Sequence, residues 1–206
     1  MDETKPESPA PESAPKPVPP RKGEADEAAL RAPVPSRSLD RLRQALPEAV
    51  QEVVFHCGVP IVRVDPERIV EVGHFLKEDA QCRMTLLSDL CGLDLSRLGR
   101  PEPRFDVVYQ LFSPDQGERL MLKAAVAERA EIQSVSGVWR TANWHEREAF
   151  DMFGIRFAGH PDLRRILMPE EYDAHPLRKD FPLEGRERDH GNWRRPDDER
   201  RNVRVR

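Results

Sequence analysis

The chain has 206 residues, with 33 Lys and Arg against 37 Asp and Glu, and its net charge of -4 supplies no global field that would favour nucleic acid. Hydrophobic residues make up 38%, charged residues 34%, and there are 20 prolines, which fits one soluble domain diluted by polar appendages. No apolar run approaches the roughly 20 residues of a membrane span, no export is expected because the first residues hold no apolar stretch flanked like a signal peptide, and Cys57, Cys82 and Cys91 contain no C-x-x-C pair from which to build a disulfide framework, a zinc site or an iron–sulfur site, so a reducing compartment is expected.

Residues 1–36 alternate Pro with Glu, Ala, Lys and Ser, and almost nothing there can be buried. Ordering such a stretch costs entropy without return, so a disordered, partly polyproline arm is expected. The core domain is expected over 37–158. Leu39, Leu42, Leu46, Val50 and Val53 recur at helical spacing, broken at Pro47, and the pattern turns to strand from about Val53. Pro60–Val64 is a short β-type run. Asp65 then caps a helix with Pro66 at its first position and Ile69, Val72 and Leu76 on one side. Residues 82–87 form a further strand candidate, ended by the polar run Ser88–Gly92. The clearest β signal is a hairpin: Phe105, Val107, Tyr109 and Leu111 alternate along one strand, and Leu120, Leu122, Ala124 and Val126 along its partner. Pro114 and Gly117 supply the turn between them. Helices and strands mix without regular βαβ order, so the fold class is α+β: a compact sheet-and-helix domain with an extended, Pro-interrupted C-terminal arm.

Residues 142–182 carry the most information. A short helix is expected over 143–153, with Asn143 as N-cap, Glu146 three residues later as in a capping box, and Gly154 as the C-terminal stop. At 100° per residue, Ala149, Phe150, Met152 and Phe153 share the apolar side. Arg147, Glu148 and Asp151 share the other side, near Trp144, where Arg147 and Asp151 can pair. Glu146 points between Phe150 and Phe153. It either folds back onto the Asn143 amide, the reading favoured by the capping-box spacing, or it is a buried acid of raised pKa. From Gly159 to 185, prolines at 161, 169, 176 and 182 exclude a long helix or a central strand. Leu163, Ile166, Leu167, Met168, Leu177 and Phe181 nonetheless need cover. The arm is therefore expected to lie on another surface, that of its own domain or of a partner, with partner docking and little contribution to the domain's own core as the expectation taken forward, and with Arg164, Arg165, Arg178 and Lys179 pairing outward or, alternatively, with Asp162, Glu170 or Asp180. An Arg-rich, mixed-charge tail is expected over 186–206.

Glu146-Arg147-Glu148, Asp151-Met152-Phe153, His160, Arg164 and Ile166-Leu167, at their spacing here, resemble the signature of the thirty-kilodalton subunit family of respiratory complex I, the NADH:quinone oxidoreductase. The block His175–Pro182 and the upstream Leu87–Gly92 resemble the same family, so the likeness spans roughly residues 50–185. His145 and Phe150 stand where the family has Tyr. The resemblance marks Glu146, Arg147, Glu148, Asp151, His160, Arg164, Arg165, His175, Arg178, Lys179 and Asp180 as family-motif residues and candidates for an assembly interface. It implies a subunit with no catalytic site, flavin, cluster or metal of its own, inside a complex that uses FMN, iron–sulfur clusters, NADH and quinone. It implies docking on the forty-nine-kilodalton and PSST-type subunits, with the membrane reached only through the complex, on the cytoplasmic face of a bacterial inner membrane.

Rival readings find less in the residues. A zincin helix needs a second His four residues after His145, and that position is Ala149. No G-x-S-x-G elbow, phosphate loop or G-x-G-x-x-G is present. The C-terminal arginines (Arg194, Arg195, Arg200, Arg201, Arg204 and Arg206) lack the interleaved aromatics of a nucleic-acid platform. The closer competitor is the same scaffold in a membrane-bound hydrogenase.

Overall fold

The computed structural model describes Leu30, residues 32–99 and residues 102–186. Most of the Pro-rich arm and nearly all of the Arg-rich tail lie outside the described residues. The last residues of the arm are engaged: the Cys57 amide donates to Leu30 O at 2.7 Å. Ser36, 5% exposed, accepts from the Leu39 amide and caps the first helix, α1 (Arg37–Ala45). The Ser36 and Ser38 hydroxyls both donate to Glu118, at 2.5 and 2.7 Å, tying the start of α1 to the sheet.

The elements follow in the order β1 (Val50–His56), β2 (Val59–Val64), α2 (Ile69–Glu78), β3 (Leu86–Asp94), β4 (Phe105–Ser113), β5 (Glu118–Val126), β6 (Glu131–Gln133), α3 (Ala142–Phe153) and β7 (Arg156–Ala158). Five strands form one mixed sheet in the order β1-β2-β5-β4-β3, in which only β2 and β5 run parallel; β6 and β7 form a separate parallel pair. This is an α+β fold. Period-2 alternation puts Val62, Val64, Leu120, Leu122, Ala124, Val107, Tyr109 and Leu111 on the face that packs with Leu39 and Leu42 of α1, Ile69, Val72 and Leu76 of α2, and Ala142 and Ala149 of α3. On the opposite face Arg63 holds Asp106 through two bonds of 2.8 and 2.7 Å.

Most local expectations hold. α1 stops before Pro47, which opens a 3-10 turn leading into β1. Asp65 accepts from the Glu67 amide, and Pro66 begins the turn into α2. The hairpin registers Phe105 with Val126 and Ser113 with Glu118. The strand expected over 82–87 is displaced. Cys82 and Met84 are buried in the turn after α2, and the strand runs Leu86–Asp94, straight through the Ser88–Gly92 run expected to end it. The reason is packing: a Cβ on Gly92 would lie 2.8 Å from the Phe153 ring, so this glycine admits α3 onto β3 and does not break the strand.

Candidate functional site

A helix leaves its last carbonyls without intrahelical donors. In α3 the arm supplies the missing donors. Gly154, at φ +75°, turns the chain and gives its amide to Phe150 O at 2.8 Å. His175 Nδ1 donates to Asp151 O at 2.9 Å, the Leu177 amide to Met152 O at 3.1 Å, and Arg178 Nε to Phe153 O at 2.6 Å. The block His175–Arg178 therefore closes the end of α3 bond by bond, and a Cβ on Gly154 would stand 2.6 Å from both Arg178 and His175.

Asp151 anchors a second stretch of the arm. Its fully buried carboxylate accepts from Arg165 at 2.5 Å and from the amides of Ile166, Leu167 and Met168 at 3.1, 2.8 and 2.8 Å. Burial alone would raise its pKa; the three amides and the Arg165 guanidinium outweigh that and hold it below the ordinary value. Arg147 does not pair with Asp151. It donates to the carbonyls of Arg164 and Arg165 at 3.1 and 3.0 Å, gripping the same stretch from the other side. A helical wheel places Asp151 on the polar face; the arm lies over that face and buries it.

The third anchor is Asp94, at the end of β3. It accepts from Arg104 at 3.0 Å, from the Lys179 amide at 2.8 Å and from the Ser96 amide at 3.0 Å. Burial is again opposed by these donors, and the carboxyl titrates far below the usual range. Arg104 also reaches Asp180 and Glu128, both at 2.9 Å, and Arg178 reaches Glu128 at 3.0 Å. Both guanidinium groups stand over the Phe105 ring, at 5.1 and 5.4 Å. Tyr172, 7% exposed, has Arg165 and Arg186 over its ring.

The expectation of an arm with outward-pairing cations is thus corrected for most of its residues. Arg165 and Arg178 point inward, onto α3 and Glu128. Arg164 pairs with Asp162 at 2.9 Å on the surface, as the alternative reading has it. Asp180 serves Arg104 instead of a neighbouring arm cation. Lys179 engages through its backbone alone among the bonds above, and the residue is exposed, as is Glu148. Arg104 and Glu128 escape sequence reasoning because neither lies in the family blocks and both meet the arm only through the fold.

Glu146 does not cap α3, which starts at Ala142. It is 0% exposed and accepts from the Ser134 hydroxyl at 2.6 Å and the Val135 amide at 2.7 Å. Burial pushes its pKa up to about 7 against the pull of those two donors. His160 lies beside it, Nε2 3.9 Å from the carboxylate and 3.0 Å from Asn143 O, while Nδ1 accepts from the Asp162 amide at 3.0 Å. Among the described residues no cluster of three or more His, Cys, Asp or Glu is disposed to hold a metal, and no helix is long and apolar enough to cross a membrane. The arrangement is one of anchoring: buried acids and arginines hold an irregular segment in a defined shape.

The family model described as "Respiratory-chain NADH dehydrogenase, 30 Kd subunit" matches residues 62–187. The NADH-quinone oxidoreductase C subunit of Roseiflexus sp. (strain RS-1) is 53% identical over 146 residues, which cover 70% of this chain and 82% of that one. The corresponding C subunit of Geobacter sulfurreducens is 43% identical over 155 residues, covering 75% and 93%. A chain in the structure of an archaeal membrane-bound sulfane sulfur reductase shares the fold, with a TM-score of 0.58 at 21% identity over 79% of this chain and 87% of that chain. Residues 62–187 take in the hairpin, α3 and all three anchors of the arm, and the chain belongs to the family of the 30 kDa subunit of respiratory-chain NADH dehydrogenase.

Proposed function

We propose that this chain is a scaffold subunit, without an active site of its own, in the peripheral arm of a proton-translocating NADH:quinone oxidoreductase. The observation that carries the reading is what the family-motif residues do. Asp151, Arg165, His175 and Arg178 bond to one another's segments and shape the arm. That shape leaves Leu167 61%, Leu177 50% and Trp144 70% exposed on the arm and the helix it covers. Each such side chain contributes about 1.5–3 kcal/mol when a partner buries it fully. Electrons pass from NADH through FMN and iron–sulfur clusters, held by other subunits, to quinone. The neighbours are the forty-nine-kilodalton and PSST-type subunits, and the site of action is the cytoplasmic face of the bacterial inner membrane, reached through the complex. A chain of an archaeal respiratory membrane complex shares the fold; the relatives' sequences favour the NADH:quinone oxidoreductase.

The test is affinity purification of the tagged full chain from membranes. The expected result is co-purification of an FMN-bearing, NADH-oxidising assembly that includes the forty-nine-kilodalton and PSST-type subunits. Recovery with a nickel–iron hydrogenase, or alone, overturns the proposal.

A further inference from the structure

Four acids are buried among the described residues, and they are not alike. Asp94, Asp106 and Asp151 each face an arginine, at 3.0, 2.7 and 2.5 Å. Glu146 faces none. Its charged neighbours on α3 are engaged elsewhere: His145 lies 3.5 Å from Asp89 of β3, Arg147 donates to arm carbonyls, and Asp151 holds Arg165. From β4 it is met by Tyr109, whose buried hydroxyl has no hydrogen-bond partner. From the arm it is met by His160, and the bonds around that ring settle its tautomer. Because Nδ1 accepts the Asp162 amide, the ring proton sits on Nε2 and is directed at Asn143 O. That proton is directed at Asn143 O and the carboxylate stands 3.9 Å away, so the ring makes no hydrogen bond to Glu146. A buried carboxylate without a cation is costly, which favours its protonated form.

The carboxyl also has a route to the surface. Ser134 Oγ lies 2.6 Å from Glu146 and 2.8 Å from Ser136 Oγ, and both serines are part-exposed. With Glu146 ionised, the Ser136 hydroxyl donates to Ser134 and Ser134 donates to Glu146. With Glu146 protonated, the carboxyl donates to Ser134, Ser134 donates to Ser136, and the Ser136 proton turns outward. A proton added to Ser136 Oγ lets that oxygen pass its own proton to Ser134 as Ser134 passes its own to Glu146, so one O–H bond forms where each one breaks, and one proton taken up at Ser136 equals one proton bound at Glu146.

We propose that Glu146 is a proton-binding site, open to solvent through Ser134 and Ser136, whose occupancy is felt by His160 at the root of the arm. Ionisation places a full negative charge 3.9 Å from Nε2 and competes with Asn143 O for its proton. Protonation removes that pull. The interior of the domain and the first residues of the arm are then linked by a single titration near neutrality, while the arm's other buried anchors, Asp94 and Asp151, are held below the ordinary carboxyl value.

The test is infrared difference spectroscopy on the full chain labelled with 13C-glutamate, with nitrogen NMR of His160 in the same samples. A protonated-carboxyl band should be lost as pH rises, with a midpoint near 7. The His160 Nε2 signal should shift with the same midpoint. Glu146→Gln should lack the band and remove from the His160 signal the step that shares its midpoint. Ser136→Ala should keep the midpoint and slow the relaxation after a pH jump. A carboxyl midpoint at the ordinary value of 4.5, two different midpoints in the wild type, or unchanged relaxation in Ser136→Ala overturns the proposal. The two wild-type titrations decide it even where Glu146→Gln does not fold.

Discussion

At the scale of single residues, burial acts on Asp151 and Glu146 in the same direction, and their partners decide the outcome. Both are 0% exposed. Asp151 has three amides and a guanidinium, so its carboxyl is held below its ordinary value of 3.8. Glu146 has one amide and one hydroxyl, so it is pushed up to about 7. A depressed carboxyl stabilises the fold above its unfolded pKa, and that contribution is lost as pH falls through the folded value. Asp151→Asn should therefore cost the most at neutral pH, about 3–5 kcal/mol, because it leaves the largely covered Arg165 guanidinium, 12% exposed, without its counter-charge. The deficit relative to wild type should shrink as pH falls below about 4. Urea unfolding of both proteins across that range measures it, and a deficit that does not depend on pH would show that the charge of Asp151 is immaterial. The two positions also differ in how readable they are. The helical wheel places Glu146 between Phe150 and Phe153, so its burial is legible in the sequence. Asp151 falls on the polar face, and only the folded arm turns that face into an interior.

At the scale of elements, legibility follows the range of the interactions. The 105–126 hairpin, the start of α2 and the end of α3 rest on alternation, caps and glycine within a few residues, and the structure has them where the sequence suggests. β3 is misplaced by local reading because Gly92, which looks like a breaker, serves a contact with Phe153 more than fifty residues away. Gly154 carries both kinds of information. Its φ of +75° is the expected left-handed stop, but the reason no side chain fits lies in Arg178 and His175, 2.6 Å from a would-be Cβ. Left-handed backbone alone costs a non-glycine residue about 1–2 kcal/mol. Displacing the two side chains that close the carbonyls of Asp151 and Phe153 adds the loss of those bonds, at about 1 kcal/mol each. Gly154→Ala should therefore destabilise the domain by more than about 2 kcal/mol and expose the arm to trypsin at Arg178 and Lys179 before global unfolding. A variant that melts lower but is cut no faster would place the whole effect in the backbone.

At the scale of the whole molecule, the arm is part of the domain's own architecture. Its prolines do exclude regular structure, as the sequence indicates: no helix or strand follows β7 among the described residues. Irregular backbone still needs partners for its polar groups, and here the domain supplies them. Ending the chain at Ala158 would strip Asp151 of Arg165 and three amides, Asp94 of the Lys179 amide, and Met152 O and Phe153 O of their donors. It would also uncover the surface beneath Tyr172 and Leu163, and open the side of Glu146 that His160 covers. Hydrogen bonds to a charged group contribute about 1.5–3 kcal/mol each, and a whole domain is stable by only about 5–15 kcal/mol. The loss therefore consumes most of what holds the fold. The truncated chain is expected to melt without a cooperative transition by circular dichroism, in contrast to the full chain. Leu167→Ala, at an exposed position, should keep the full chain's transition and lower only its recovery with the assembled complex. Cooperative melting of the truncated chain at the full-length temperature would mean that the arm's bonds add nothing to the core. Loss of the transition in Leu167→Ala would mean that this side chain packs inward and is no partner contact.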